Sequence, residues 1–171
     1  KYNIQATIAL DASIADNYPF LIEQFHQRNY EIMAHGVAVN QMITSKMTKE
    51  EERNHIRRSI EAVSKATGSK PLGWHGPEYG ESENTLAILA DEGIRYVCDW
   101  PNDDQPYPMK TPSGDLYSLP ILLSLDDHYT HWINKIHIDA YTKMITDSFD
   151  VLYREGADSG RMMVLNLHPW L

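Results

Sequence analysis

Short apolar runs alternate with helical patterns along this chain, and that alternation limits the fold more than any other feature. The apolar runs predict strands at 3–10, 31–34, 71–74, 96–98, 116–123 and 162–167. Apolar residues at helical spacing predict helices at about 16–28, 48–68, 82–93 and 139–156. An order in which strand and helix alternate about five times predicts parallel strands with helices packed outside them. The chain lacks the glycine-rich turn that cradles a nucleotide phosphate, so we expect an α/β barrel in preference to an open doubly wound sheet.

Polar residues just before each helical pattern predict where the helices begin. Thr48 and Glu51 have the spacing of a capping box at the start of the longest helix. Asp16 or Asn17 is expected to cap the first helix, and Ser82 the one that begins near residue 82.

The chain after residue 105 is less regular. Residues 106–115 are expected to be irregular, and Pro120 places the strand at 116–123 near an edge or a bend. Residues 126–132 fit neither a helix nor a strand pattern clearly. One domain is expected to span 1–171, and a strand pattern at each terminus indicates a piece of a larger fold.

The charge of the chain excludes two classes of partner. With 24 acidic and 15 basic residues, the net charge is −9, which argues against nucleic acid and against an anionic membrane surface. No apolar run approaches the roughly 18 residues that a membrane span needs. The single cysteine, Cys98, excludes an internal disulfide and is compatible with the cytoplasm, where we expect the protein.

Residues that can carry chemistry follow four of the predicted strands. They are His35, His75 with Glu78, Asp99 with Asp103 and Asp104, and His168. A barrel would bring these strand ends around one mouth, where loops carry the active sites of such folds. Histidine suits this place because it binds metals when neutral and transfers protons near neutral pH. The other histidines lie on helical or irregular stretches and are expected at the surface.

Two tryptophans also stand at predicted strand ends. Trp74 and Trp100 could stack on a sugar or another ring substrate, and packing in the core would explain them equally well.

The order of these motifs resembles the polysaccharide deacetylase, or NodB-homology, superfamily, and most closely its allantoinase-like branch. The segments that carry the resemblance are 35–36, 73–77, 98–108 and 165–169, so it covers essentially the whole chain. It implies a distorted (β/α) barrel that is incomplete here at its N-terminus, and it leaves open whether the C-terminus is complete. It also implies hydrolysis of a carbon–nitrogen bond other than a peptide bond, often the removal of an N-acetyl group with the help of a divalent metal.

The resemblance places the first metal-binding histidine of the family at His35. The second should lie four residues later, where this chain has Val39, and Asn40 is the nearest polar residue. Zinc is the metal that the resemblance favours, and two histidines spaced by four are what allow a loop to hold it beside a carboxylate. Without the second histidine, a protein of the allantoinase-like kind that needs no metal is the other expectation.

The resemblance also suggests roles for the remaining motifs. His75 stands where deacetylases usually keep an arginine that orients the catalytic carboxylate, and Asp99 with Trp100 resembles the groove motif. His168 resembles the histidine that protonates the leaving nitrogen. The acidic base of the family normally precedes a strand like 3–10, so it is expected upstream of this chain.

These observations predict an amide hydrolase with His168, His75 and Asp99 as catalytic residues. Its substrate is expected to be an N-acetylated sugar or a small cyclic amide, bound by Trp74, Glu78, Trp100, Asp103 and Asp104. The alternative is a catalytically silent relative that binds carbohydrate, which the loss of a histidine at Val39 favours. Both readings expect an oligosaccharide or small-molecule partner and leave a homo-oligomer open.

Overall fold

The structure is a computed structural model, and it describes residues 4–171. The chain divides into two compact units. The first contains the chain up to Asp99 together with residues 108–117, and the second contains residues 100–107 and 118–171. The single domain inferred from the sequence stays a prediction.

A six-stranded sheet with the order β1-β2-β3-β4-β6-β5 organises the first unit. Its strands are β1 (Thr7–Leu10), β2 (Glu31–Ala34), β3 (Gly73–Trp74), β4 (Tyr96–Val97), β5 (Tyr107–Thr111) and β6 (Gly114–Ser118). Strands β1 to β4 are parallel neighbours in chain order, with Ala34 opposite Trp74 and Trp74 opposite Val97. The α/β class with parallel strands is therefore confirmed. The part of the first predicted strand that falls on Asn3 lies outside the described residues.

Four helices connect these strands: α1 (Ala12–Asn17), α2 (Pro19–Gln27), α3 (Lys49–Thr67) and α4 (Thr85–Asp91). The predicted first helix is in fact two helices, and neither Asp16 nor Asn17 begins it. Asp11 caps α1 because its Oδ1 accepts from the backbone N–H of Ile14 at 2.8 Å. Pro19 begins α2, since proline lacks the N–H that a first helical residue leaves unbonded.

The predicted capping box of α3 is confirmed. The Thr48 hydroxyl accepts from the backbone N–H of Glu51 at 3.3 Å, and Glu51 accepts from the backbone N–H of Thr48 at 2.8 Å. The predicted cap of α4, Ser82, is wrong by two residues, because Asn84 is the residue that directly precedes the helix. The Ser82 hydroxyl accepts from the backbone N–H of Asn84 at 2.9 Å. The core between sheet and helices includes Leu10, Met33, Ala34, Ile56, Ile60, Val63, Trp74, Ile88, Leu89 and Val97.

The regular secondary structure of the second unit is mainly helical. It contains a 3₁₀ turn (Leu123–Leu125), a single π-helical segment (His128–Ile133) and α5 (Ile138–Glu155). The Tyr141 hydroxyl in α5 donates to the backbone oxygen of Leu125 at 2.7 Å, and this bond attaches the helix to the 3₁₀ turn. The segment that the sequence left ambiguous is therefore helical, with wide π-type turns.

Two predictions for the C-terminal third are wrong. Residues 106–115 are not irregular: β5 lies there, and β6 begins earlier than the strand predicted at 116–123. Residues 162–167 form no strand in the described part of the chain, because their backbone hydrogen bonds do not pair them with another strand. Met162 donates to the oxygen of Asp104 at 2.8 Å, and the oxygen of Asn166 accepts from the N–H of Asp127 at 3.2 Å.

Candidate functional site

Neighbouring parallel strands bring His35 and His75 together in the first unit. The two imidazoles stack with centroids 5.1 Å apart and planes inclined by 21°. The His35 Nδ1–H donates to the backbone oxygen of His75 at 2.5 Å, and the His75 N–H donates to the oxygen of Ala34 at 3.0 Å. Two of the four predicted strand ends therefore meet here, and Asp99 brings a third to the same place.

Asp99, at the end of the next strand, fixes the His75 ring. Its Oδ1 accepts both from the Nδ1–H of His75 at 2.9 Å and from the backbone N–H of Gly76 at 2.8 Å. Both side chains are buried. Burial raises the pKa of Asp99 to about 7, although the hydrogen bond from Gly76 acts in the opposite direction. The carboxyl group thus orients the imidazole and titrates near neutral pH.

The loop that follows His75 has an unusual backbone. Glu78 and Tyr79 both adopt left-handed conformations, with φ of 54° and 56°, which cost side-chain-bearing residues energy. In this turn the Tyr79 ring makes an edge-to-face contact with His75, with centroids 5.0 Å apart and planes inclined by 67°. Gly76 is required here because a Cβ would lie 2.9 Å from the backbone oxygen of Gly80. Sequence reasoning did not single out Tyr79.

In the second unit, Asp127 holds His168 with both of its carboxylate oxygens. The His168 Nδ1–H donates to Oδ1 at 2.6 Å, and the His168 backbone N–H donates to Oδ2 at 2.8 Å. Since Nδ1 carries the proton that faces Asp127, Nε2 is the nitrogen that can accept or release a proton. This is the arrangement that orients a histidine for general acid–base chemistry.

Asp126, the neighbour of Asp127 in the chain, binds two other groups of the second unit. Its Oδ2 accepts from the Asn166 amide at 2.8 Å and its Oδ1 accepts from the Tyr129 N–H at 3.1 Å. The sequence analysis missed Asp126 and Asp127 because they lie in the ambiguous segment. The one signal that could have found them was two adjacent carboxylates directly after an apolar run.

The donor atoms of Asp126, Asp127 and His168 all lie within 4.8 Å of one another, so these three side chains could hold a metal ion. Two carboxylates and a histidine suit zinc chemically. Both oxygens of each carboxylate already accept hydrogen bonds from the protein, however, so a metal would have to replace some of them.

The metal ligands predicted from the sequence do not form such a group. Among residues 4–171, His35 belongs to no set of three closely spaced donors, and Asn40 is exposed. His35 uses its Nδ1 to bind the backbone of His75. That bond leaves Nε2 as the nitrogen that could ligate a metal, and metal binding by His35 and Asn40 stays a prediction.

The predicted substrate-binding residues have different surroundings. Trp74 is fully buried, Trp100 is half-buried and Glu78 is exposed. Asp103 and Asp104 both approach Arg161, with nearest atoms 3.8 and 3.9 Å apart. Binding of a substrate by these five residues stays a prediction, as does the meeting of all four strand ends around one mouth.

Comparison with known proteins identifies the family. Residues 1–97, more than half of the chain, match polysaccharide deacetylase. The chain belongs to the polysaccharide deacetylase family. The resemblance inferred from the motifs and the fold class are both confirmed.

Two curated relatives and one solved structure illustrate the match. The peptidoglycan deacetylase of Helicobacter pylori is 26% identical over 119 residues, which are 69% of this chain and 39% of the relative. A Schizosaccharomyces pombe protein, whose name also places it among polysaccharide deacetylases, is 29% identical over 70% of this chain and 42% of its own length. The crystal structure of Puue allantoinase superposes with a TM-score of 0.87 at 30% identity, over 98% of this chain and 55% of the other.

The chain thus spans about two fifths of the length of the curated relatives it matches. None of the helices in residues 4–171 combines the length and the apolar character that crossing a membrane requires.

Proposed function

We propose that this protein is an amide hydrolase that removes an N-acetyl group from a sugar, with His168 as the general acid. The observation that carries the proposal is the pair of hydrogen bonds from His168 to Asp127. These bonds use Nδ1 and the backbone N–H, so Nε2 can donate a proton to the substrate. Membership of the polysaccharide deacetylase family supports the reaction class.

The proton transfer follows from the geometry of this pair. Hydrolysis requires that a water adds to the carbonyl carbon and gives up one proton to a base. A protonated His168 then donates from Nε2 to the amide nitrogen as the bond between that nitrogen and the carbon breaks, so a carboxylic acid and a neutral amine are released. The Asp127 carboxylate stabilises the imidazolium before the transfer and holds its ring in one orientation. A positioned acid of this kind typically contributes about 10²–10⁴-fold in rate.

In the first unit, His75 and Asp99 offer a second oriented imidazole. Asp99 fixes the direction of this ring, and a catalytic role for His75 stays a prediction.

The test is the turnover of N-acetylated chito-oligosaccharide by the protein expressed from its complete gene. His168→Ala is expected to lower kcat by roughly 100-fold or more with little change in KM, because only the transition state uses the proton. Asp127→Asn should also lower kcat, since an amide can present a donor to Nδ1 and favour the wrong tautomer. His137→Ala, at the exposed start of α5, is the matched control.

Turnover within twofold of wild type in His168→Ala would remove this residue from the mechanism. Assaying allantoin in parallel addresses the second candidate, opening of a small cyclic amide, which the 30% identity to Puue allantoinase favours. Saturable binding of carbohydrate without turnover of either compound would instead support the catalytically silent relative.

A further inference from the structure

An unbroken set of aromatic rings extends from His168 to the surface of the second unit. The ring of Trp170 lies 5.4 Å from His168 and 5.5 Å from His128, between centroids. His128 in turn lies 5.7 Å from His168, and Trp132 lies 6.5 Å from Trp170 with its plane inclined by 80°. We refer to His128, Trp132 and Trp170 as the aromatic platform. His128 was expected at the surface and is half-buried.

The platform is open to solvent although it consists of large rings. Trp170 is 62% exposed and Trp132 is 57% exposed. Lys135 places its Nζ 4.7 Å from the Trp132 ring, so this ring already has one cation–π partner. Trp170 is therefore the more accessible indole, and it is also the one that contacts His168.

We propose that Trp170 determines specificity by stacking on the sugar ring that carries the amide nitrogen, with Trp132 contacting the next ring of the chain. This inference rests on the proposed function of His168. The apolar C–H face of a sugar ring is complementary to the negative face of an indole. A ring held on Trp170 would keep its amide nitrogen within reach of the adjacent imidazole.

The arrangement of the two indoles suits an oligosaccharide. Trp132 and Trp170 have centroids 6.5 Å apart and planes inclined by 80°, so together they offer contact area to more than one sugar ring.

Steady-state kinetics on chitotetraose test the inference. Trp170→Ala is expected to raise KM roughly five- to tenfold with kcat within twofold, because a stacking contact of this size holds the substrate in the ground state and the transition state alike. Trp170→Phe, which keeps an aromatic face, should restore KM to within about twofold of wild type. Tyr153→Ala removes an exposed ring that stacks on Phe149 in α5 and serves as the matched control.

Calorimetric binding of cellotetraose separates this inference from the proposed function, because this sugar has ring faces but no amide to hydrolyse. We expect Trp170→Ala to weaken that binding whether or not the protein turns over chitotetraose. Tighter binding of the tetraose than of the disaccharide should disappear in Trp132→Ala. Circular dichroism must first show that Trp170→Ala is folded like the wild type. The proposal would be overturned if this variant kept the wild-type KM and the wild-type affinity for cellotetraose. It would also be overturned if the wild-type protein bound no cellotetraose.

Discussion

Replacing Glu52 by alanine is expected to destabilise the first unit strongly, although Glu52 lies far along the sequence from the groups it binds. Its side chain is fully buried in α3. One carboxylate oxygen accepts from the Ser82 hydroxyl at 2.6 Å, and the other accepts from the Thr85 hydroxyl. Ser82 also accepts from the N–H of Asn84, so this carboxylate secures the start of α4.

The size of the effect follows from these two bonds. A hydrogen bond to a charged group contributes about 1.5–3 kcal/mol, so two contribute about 3–6 kcal/mol. Alanine also removes the cost of burying a carboxylate, and the net loss in the free energy of unfolding should be about 3 kcal/mol. For a chain of this length that corresponds to a fall in Tm of roughly 6–12 °C. Glu52→Gln keeps the shape and one strong acceptor, so it should cost only about 1 kcal/mol.

Urea denaturation followed by circular dichroism measures these differences. If a variant unfolds at a lower urea concentration but the free energy of unfolding depends on urea as steeply as in the wild type, only its stability has changed. Glu61→Ala is the matched control because Glu61 is exposed in the same helix, and it should stay within about 0.5 kcal/mol of wild type. If Glu52→Ala lost less than about 1 kcal/mol, the carboxylate would not be the acceptor that holds α4.

Two further predictions concern the loop and the carboxyl group beside His75. Glu78→Gly should stabilise the protein by up to about 1 kcal/mol in urea denaturation, because glycine adopts the left-handed conformation without steric cost, and a loss of stability would contradict the strain at φ 54°. Burial raises the pKa of Asp99 to about 7 from an ordinary value of 3.8, so the folded protein keeps a proton that the unfolded chain releases. The stability from protonated Asp99 is therefore full below about pH 4 and is lost as the pH rises through about 7. Between pH 4.5 and 7.5, the free energy of unfolding of the wild type should fall relative to that of Asp99→Asn. A relative rise over that range would show that the pKa of Asp99 is not raised on folding.

Local signals explain the elements that the sequence predicted well. The bounds of β2 and the capping box of α3 depend on residues within a few positions of one another, so their chemistry is visible in the sequence. The sequence predicted one helix at about 16–28 where the structure has two, because Asp11 caps α1 and Pro19 begins α2. The segment 162–167 has the residue pattern of a strand. A strand also needs a neighbouring strand to pair with, and the backbone hydrogen bonds of this segment go to Asp104 and Asp127 instead.

The sequence by itself determined the family, the parallel α/β order and the candidate histidines, because each of these depends on residue types in a fixed order along the chain. Only the tertiary structure decided which partners those histidines have. His75 lies 24 residues from Asp99, and His168 lies 41 residues from Asp127. The residue types next to a histidine in the sequence do not predict a partner that lies so far along the chain. Such a bond forms only when parallel strands or turns of the folded chain bring the two side chains together. For the same reason, the aromatic platform beside His168 emerged only from the folded second unit.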